Sequence, residues 1–224
     1  MTPAVSILIS CRPNHPEYIR GALESLRQLT TEKSAVEILI KVDIGDVYTL
    51  TEVLGYEKDL FIKIIRMDGS KKRLGLVEYT NKLAEESTGR FLWFWSDETR
   101  VLTEGWQGRF RAMDSLADTL VLLFVEDTKG AGDIYPIISR KLYQAAGRFC
   151  GHIAVDTWWE AIHSRSVLPV DRKMLTGLEI KDSTVCGETK PERDSDDYLK
   201  FYSPVNLSEI KWELKKIEKS IPKI

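Results

Sequence analysis

Apolar residues follow two rhythms along the chain. Short continuous runs rich in branched side chains stand at 4–9, 36–42, 60–65 and 91–95, and they read as buried strands. Between them the apolar positions change to helical spacing. Ile19, Ala22, Leu23, Leu26 and Leu29 follow Pro16, which suits a first helical position because its φ is already set and its N–H is not needed there. Leu76, Thr80, Leu83 and Ala84 mark a second helix over 75–87, and Gly89 stands where a left-handed residue would end it. The second half is less regular. It predicts a helix over 106–117, strands over 119–125 and 134–138 around a glycine-rich turn at 129–133, and a helix over 139–146 stopped by Gly147. A further helix follows over 155–163. The polar stretch 181–200 reads as a mobile loop or lid. Asn206 and Glu209 have capping-box spacing and open a last helix with Ile210, Leu214, Ile217 and Ile221 on one stripe.

Strand–helix alternation in the first half implies an α/β fold with a mostly parallel central sheet flanked by helices. Ligands of such sheets sit at the carboxyl ends of the strands. That rule selects four loops: 10–14, 43–46, 68–73 and 96–99. The length of 224 residues allows one large domain with a small appendage, and a net charge of −2 lacks the basic footprint of a nucleic-acid binder. Three scattered cysteines, Cys11, Cys150 and Cys186, give neither zinc spacing nor a disulfide framework. They fit a reducing compartment, so a cytoplasmic location is expected. No apolar run approaches the roughly 18 residues of a membrane span, which leaves only peripheral membrane contact open.

Three clusters could carry chemistry. Asp97 and Glu98 follow a wholly apolar strand, and adjacent carboxylates on a rigid strand end suit a hard divalent cation shared with substrate phosphates. A solvated turn is the plain alternative. Lys71, Lys72 and Arg73 precede a helix N-terminus, an arrangement that suits a diphosphate or is simply a solvated charge run. Asp156 sits among Val155, Trp158 and Trp159. Partial desolvation there would make it a better base, whereas a helix-capping role is the alternative. The two tryptophans are core residues by default and sugar-ring platforms by geometry. No P-loop, dinucleotide glycine fingerprint or hydrolase triad spacing is present.

Taken in order, these segments resemble glycosyltransferase family 2, the inverting GT-A-fold transferases. Residues 5–19, with Pro13, Asn14 and the later Ser25-Leu26, resemble the family's opening strand, loop and helix. Val42-Asp43-Ile44-Gly45-Asp46 resembles its Val-Asp-Asp-Gly-Ser. Gly75, Asn81 and Gly89 repeat its helix spacing, and Ser96-Asp97-Glu98 stands in place of its metal-binding acids. Glu104-Gly105-Trp106 and Gly147-Arg148-Phe149 match later turns, and Asp156 falls where the family places its catalytic base. Ser10, Ile44, Glu98 and Val155 depart from the family pattern.

The resemblance implies a GT-A, Rossmann-like domain over 1–178 with a C-terminal lid and helix over 179–224. Residues 1–100 would bind the donor nucleotide and 101–178 the acceptor. It implies a hexosyltransferase-type enzyme (EC 2.4) that moves a sugar from a nucleotide-diphosphate donor, a UDP-sugar by expectation, to an acceptor hydroxyl with inversion. Asp43 would bind the base, Ser10 and Arg12 the nucleotide end, and Asp97 the ribose or a metal. Glu98 would bind Mn²⁺ or Mg²⁺, Arg73 would assist the leaving group, and Asp156 would be the base. The partners are the nucleotide-sugar and a carbohydrate or other hydroxyl acceptor, with no nucleic acid; oligomeric state stays open. A non-catalytic nucleotide-sugar-binding protein and a nucleotidyltransferase are the other readings.

Overall fold

A computed structural model describes residues 2–69, 75–127, 135–151, 155–165, 170–182, 215 and 219. The core is an eight-stranded sheet in the order β3 (Ile62–Met67), β2 (Val36–Asp43), β1 (Val5–Ser10), β4 (Phe91–Trp95), β7 (Ile137–Ser139), β6 (Val121–Asp127), β8 (Asp171–Asp182) and β5 (Thr99–Val101). Its first half is β1, β2, β3 and β4, all parallel. These are the four apolar runs of the sequence. The second half is mixed: β7 lies antiparallel between β4 and β6, and β8 runs parallel to β6 and antiparallel to β5.

Period-two alternation sends successive side chains to opposite faces of the sheet and so builds two cores. Val5, Ile7 and Ile9 of β1 join Trp93 and Trp95 of β4 beneath α1 (Pro16–Leu29) and α4 (Gln107–Ala112). Trp93 makes edge-on contacts with Trp95 and Trp106, at centroid distances of 4.9 and 5.6 Å. Leu8, Leu39 and Leu92 face the other way, toward α3 (Leu76–Glu86), α5 (Arg140–Ala146) and α6 (Val155–Arg165). Trp158 and Trp159 lie fully buried in that second core, so neither is a platform for a sugar ring.

Several expectations change. A helix α2 (Val47–Leu54) follows β2 where none is expected, capped by Asp46, whose side chain accepts the Thr49 N–H. The helix expected over 106–117 divides into α4 and a short 3-10 segment. The strand expected over 119–125 runs to Asp127, and Thr99 opens β5 instead of closing a loop. β8 carries the chain to Asp182, so the polar stretch read as a loop from 181 begins as strand. The rest of that stretch, the glycine-rich turn at 129–133, and the last helix apart from Lys215 and Lys219 lie outside the described residues. So does Arg73.

Gly147 caps α5 with φ +72°, as its position predicts. Gly89 serves differently: its φ is not positive, and a Cβ there would collide with the backbone of Ser6. That close approach belongs to a joint under the sheet. Buried Glu37 accepts the Ser6 hydroxyl at 2.6 Å and the Thr88 N–H at 2.7 Å, fixing β1, β2 and the turn before β4 in one register. Among the described residues no helix is long and apolar enough to cross a membrane.

Candidate donor-binding site

Parallel pairing sets the tips of β2, β1 and β4 side by side. Ser10 is level with Lys41, and Ile9 is level with Trp95. With neighbouring strands about 4.8 Å apart, residues just past these tips on β2 and β4 stand about 10 Å apart, with β1 between them. The sequence-predicted residues Ser10, Arg12, Asp43, Asp97 and Glu98 all belong to this end of the sheet.

Arg12, Asp97 and Glu98 form one cluster. The Arg12 backbone N–H donates to Asp97 Oδ2 at 2.8 Å, and its guanidinium donates to Asp97 Oδ1 through Nε at 3.1 Å and Nη2 at 2.8 Å. The same Nη2 lies 2.7 Å from Glu98 Oε1. Both acids are buried, at 3% and 7% exposure, whereas the Arg12 side chain is 39% exposed and its guanidinium lies 4.1 Å over the Tyr18 ring. Burial alone would lower the Arg12 pKa, but the two carboxylates outweigh it and hold the guanidinium above its ordinary value. The acid pair is therefore no solvated turn. The same surroundings explain Cys11: burial, with Asp97 nearby, pushes its thiol well above the usual range and leaves it a poor nucleophile.

Asp43 belongs to a second cluster that sequence reasoning missed. Lys41 is almost wholly buried, its ammonium pairs with Asp43 Oδ1, and it lies 4.2 Å over the Tyr79 ring. Tyr79 in turn donates its hydroxyl to the Asp68 carbonyl at 2.8 Å. Gly69 closes over the carboxylate, and a Cβ at that position would run into it. The available signal was chemical: a lysine inside a strand apolar on both faces has to be paired. The rim beside Asp43 is apolar, with Ile44, Val47 and Tyr48 at 68%, 63% and 73% exposure.

The two clusters are linked by Asp46, which accepts the Asn14 N–H at 2.9 Å as well as capping α2. Burial raises its carboxyl, but the hydrogen bonds from Thr49 and Asn14 prevail and hold it below the ordinary value. A depressed folded-state pKa stabilises the protein above the unfolded carboxyl's pKa, and that contribution disappears as pH falls through the folded value. Asp46→Ala should cost about 1 kcal/mol at neutral pH, as loss of a helix cap does. Denaturant melts from pH 7 to pH 3 should show the wild type and the variant converging in acid; a constant gap would contradict this.

Asp156 is the second residue of α6, inside its first turn and not at the cap, and it is half-buried. The loop ahead of α6 is clamped from α3. Asn81 Oδ1 accepts the Phe149 and Cys150 N–H groups at 2.7 and 3.0 Å, and Asn81 Nδ2 donates to the Cys150 carbonyl at 2.8 Å. Asn81 thereby ties the helix after β3 to the segment that carries Asp156.

The acid pair has the chemistry for a divalent cation. Hard cations that share diphosphate oxygens need one or two carboxylates. Glu98 Oε2 is buried and has no hydrogen-bond partner among the described residues, so it is an open ligand position. No group of three or more potential metal ligands converges among those residues, so substrate oxygens would have to complete the shell. Asp97 and Glu98 thus have the donor chemistry of a hard divalent-cation site.

Comparison with solved structures is consistent with this layout. Mannosyltransferase PcManGT from Pyrobaculum calidifontis, in complex with GDP-Man and Mn²⁺, superposes with a TM-score of 0.64 over 98% of this chain and 74% of that one, at 12% identity. S. aureus TarS 1–349 in complex with UDP-GlcNAc gives 0.64 over 96% and 72%, at 13% identity, and TarS 1–349 alone gives 0.63 at 15%. The chain has the GT-A fold. At these identities the likeness establishes the fold and not the reaction. Shorter superpositions on TarS cover 37% and 22% of its chains, with a TM-score of 0.47, too low to bear on the GT-A assignment. No protein-family model and no curated protein matches the sequence.

Proposed function

We propose that this GT-A protein transfers a hexose from a nucleotide-diphosphate sugar, a UDP-sugar by preference, to an acceptor hydroxyl with inversion at the anomeric carbon. The observation that carries the reading is the Arg12–Asp97–Glu98 cluster, with both acids buried, at the tips of β1 and β4, next to the Lys41–Asp43 pair at the tip of β2. The likeness in fold to proteins solved with UDP-GlcNAc and with GDP-Man supports it.

The roles extend the family resemblance over the geometry described above. Asp43, fixed by Lys41 and roofed by Gly69, accepts hydrogen bonds from a base edge that slides over the apolar rim of Ile44, Val47 and Tyr48. Ser10 and Arg12 face the ribose and diphosphate from the tip of β1, with Arg73 assisting from beyond β3. Asp97 and Glu98 would hold the divalent cation, which when bound neutralises charge on the leaving diphosphate. Asp156 takes the proton from the acceptor hydroxyl as the oxygen attacks opposite the departing diphosphate. In this scheme residues 1–100 serve the donor and 101–178 the acceptor.

The test is transfer from isotope-labelled UDP- and GDP-sugars to a panel of hydroxyl acceptors, with the product anomer read by NMR. The proposal requires one donor class to yield product of inverted configuration. Retained configuration, or no sugar leaving any donor, contradicts it.

A further inference from the structure

We propose that Arg12 is a resident counter-ion of the acid pair, which makes divalent-cation binding conditional on a nucleotide diphosphate. The inference rests on the donor-site reading above. It starts from geometry: two adjacent carboxylates lie buried at 3% and 7% exposure, and burying such charges is costly without a positive partner. Arg12 is that partner. It engages both oxygens of Asp97 and Oε1 of Glu98, three of the four available, and leaves only Glu98 Oε2 open. A bare cation arriving at this site finds one unpaired oxygen, itself buried, and a positive charge that repels it.

A diphosphate changes the balance. A guanidinium fork fits phosphate oxygens as well as carboxylate oxygens. At 39% side-chain exposure, Arg12 can reach an incoming anion without unpacking the core. Drawing the guanidinium onto the diphosphate frees Asp97 and Glu98, while the diphosphate adds oxygens to the cation's shell. Metal and donor thus arrive together, and the donor-free protein keeps a neutralised, ordered site. Arg12 acts here as a positioning residue through the acids.

The test uses the whole chain and Mn²⁺ alone, followed by calorimetry or by the loss of free-Mn²⁺ paramagnetic resonance. Wild type should bind Mn²⁺ weakly without nucleotide and at least tenfold more tightly with saturating UDP or GDP. Arg12→Gln should bind Mn²⁺ alone at least tenfold more tightly than wild type, and most of the nucleotide enhancement should vanish. Adding Glu98→Gln to Arg12→Gln should remove the gain. Should Arg12→Gln fold poorly, Arg12→Lys keeps the charge without the fork and should show a smaller gain of at least threefold. Equal or weaker Mn²⁺ binding in the Arg12 variants overturns the proposal. Failure of the donor-site reading would show instead as wild type that binds neither UDP nor GDP.

Discussion

Asp156→Asn is expected to lower sugar transfer by about 10²- to 10⁴-fold, the usual contribution of a positioned general base, while donor affinity stays as in the wild type. The amide keeps the shape of the carboxylate but cannot take a proton. The surroundings favour a chemical and not a structural effect. Trp158 and Trp159 anchor α6 in the second core, and Asn81 holds Phe149 and Cys150 ahead of it. Initial rates from labelled donor, set beside donor dissociation constants by calorimetry, separate the two quantities. Equal transfer rates would remove Asp156 from the mechanism. A parallel loss of rate and donor affinity would make it a binding residue.

The second large effect concerns stability. Lys41→Met is expected to destabilise the fold by about 3–5 kcal/mol, the cost of leaving one partner of a buried ion pair uncompensated. Methionine keeps an apolar stem of similar length, so what is lost is the ammonium: its pairing with Asp43, itself only 8% exposed, and its place over the Tyr79 ring. Lys41→Met with Asp43→Asn should recover most of the loss, because the orphaned charge is then gone. A double-mutant cycle from urea melts measures this coupling directly. A cost below about 1 kcal/mol, the range of exposed ion pairs, would show that the pair is not buried in solution.

These two residues mark how far the sequence could be read. Strands β1 to β4 are legible because a parallel strand covered on both faces is a continuous apolar run. β8 is not: residues 171–174 are exposed and largely polar, and Gly177 sits at φ +71° beside an irregular register with β6. That breaks the alternation by which a strand is recognised. α2 hides for another reason. Its segment, Val47 to Leu54, is rich in β-branched residues, and the helix is held by the Asp46 cap and by packing on α1 rather than by propensity. The acids of the site were legible as charges at the end of an apolar strand. Arg12 was expected at the nucleotide end, but its pairing with the acids was not legible, because the Arg12–Asp97 contact joins residues 85 positions apart and exists only once β1 and β4 are in register. Lys41 within an apolar strand signals a paired charge, but its cover by Tyr79 of α3 exists only in the fold.

The donor's diphosphate belongs, on this reading, at the carboxyl ends of β1 and β4. Among the described residues the molecule also has a shallow hollow of about 610 Å³ at the other end of the sheet, lined by Pro3, Lys33, Glu57, Phe61 and Thr88. A crystal structure with UDP-sugar or GDP-sugar and Mn²⁺ decides between the two ends. The diphosphate is predicted within hydrogen-bonding reach of Arg12, with Asp97 and Glu98 on the cation and the base against Asp43. A donor lodged by Phe61 and Thr88, or a diphosphate with no contact to Arg12, Asp97 or Glu98, would contradict it.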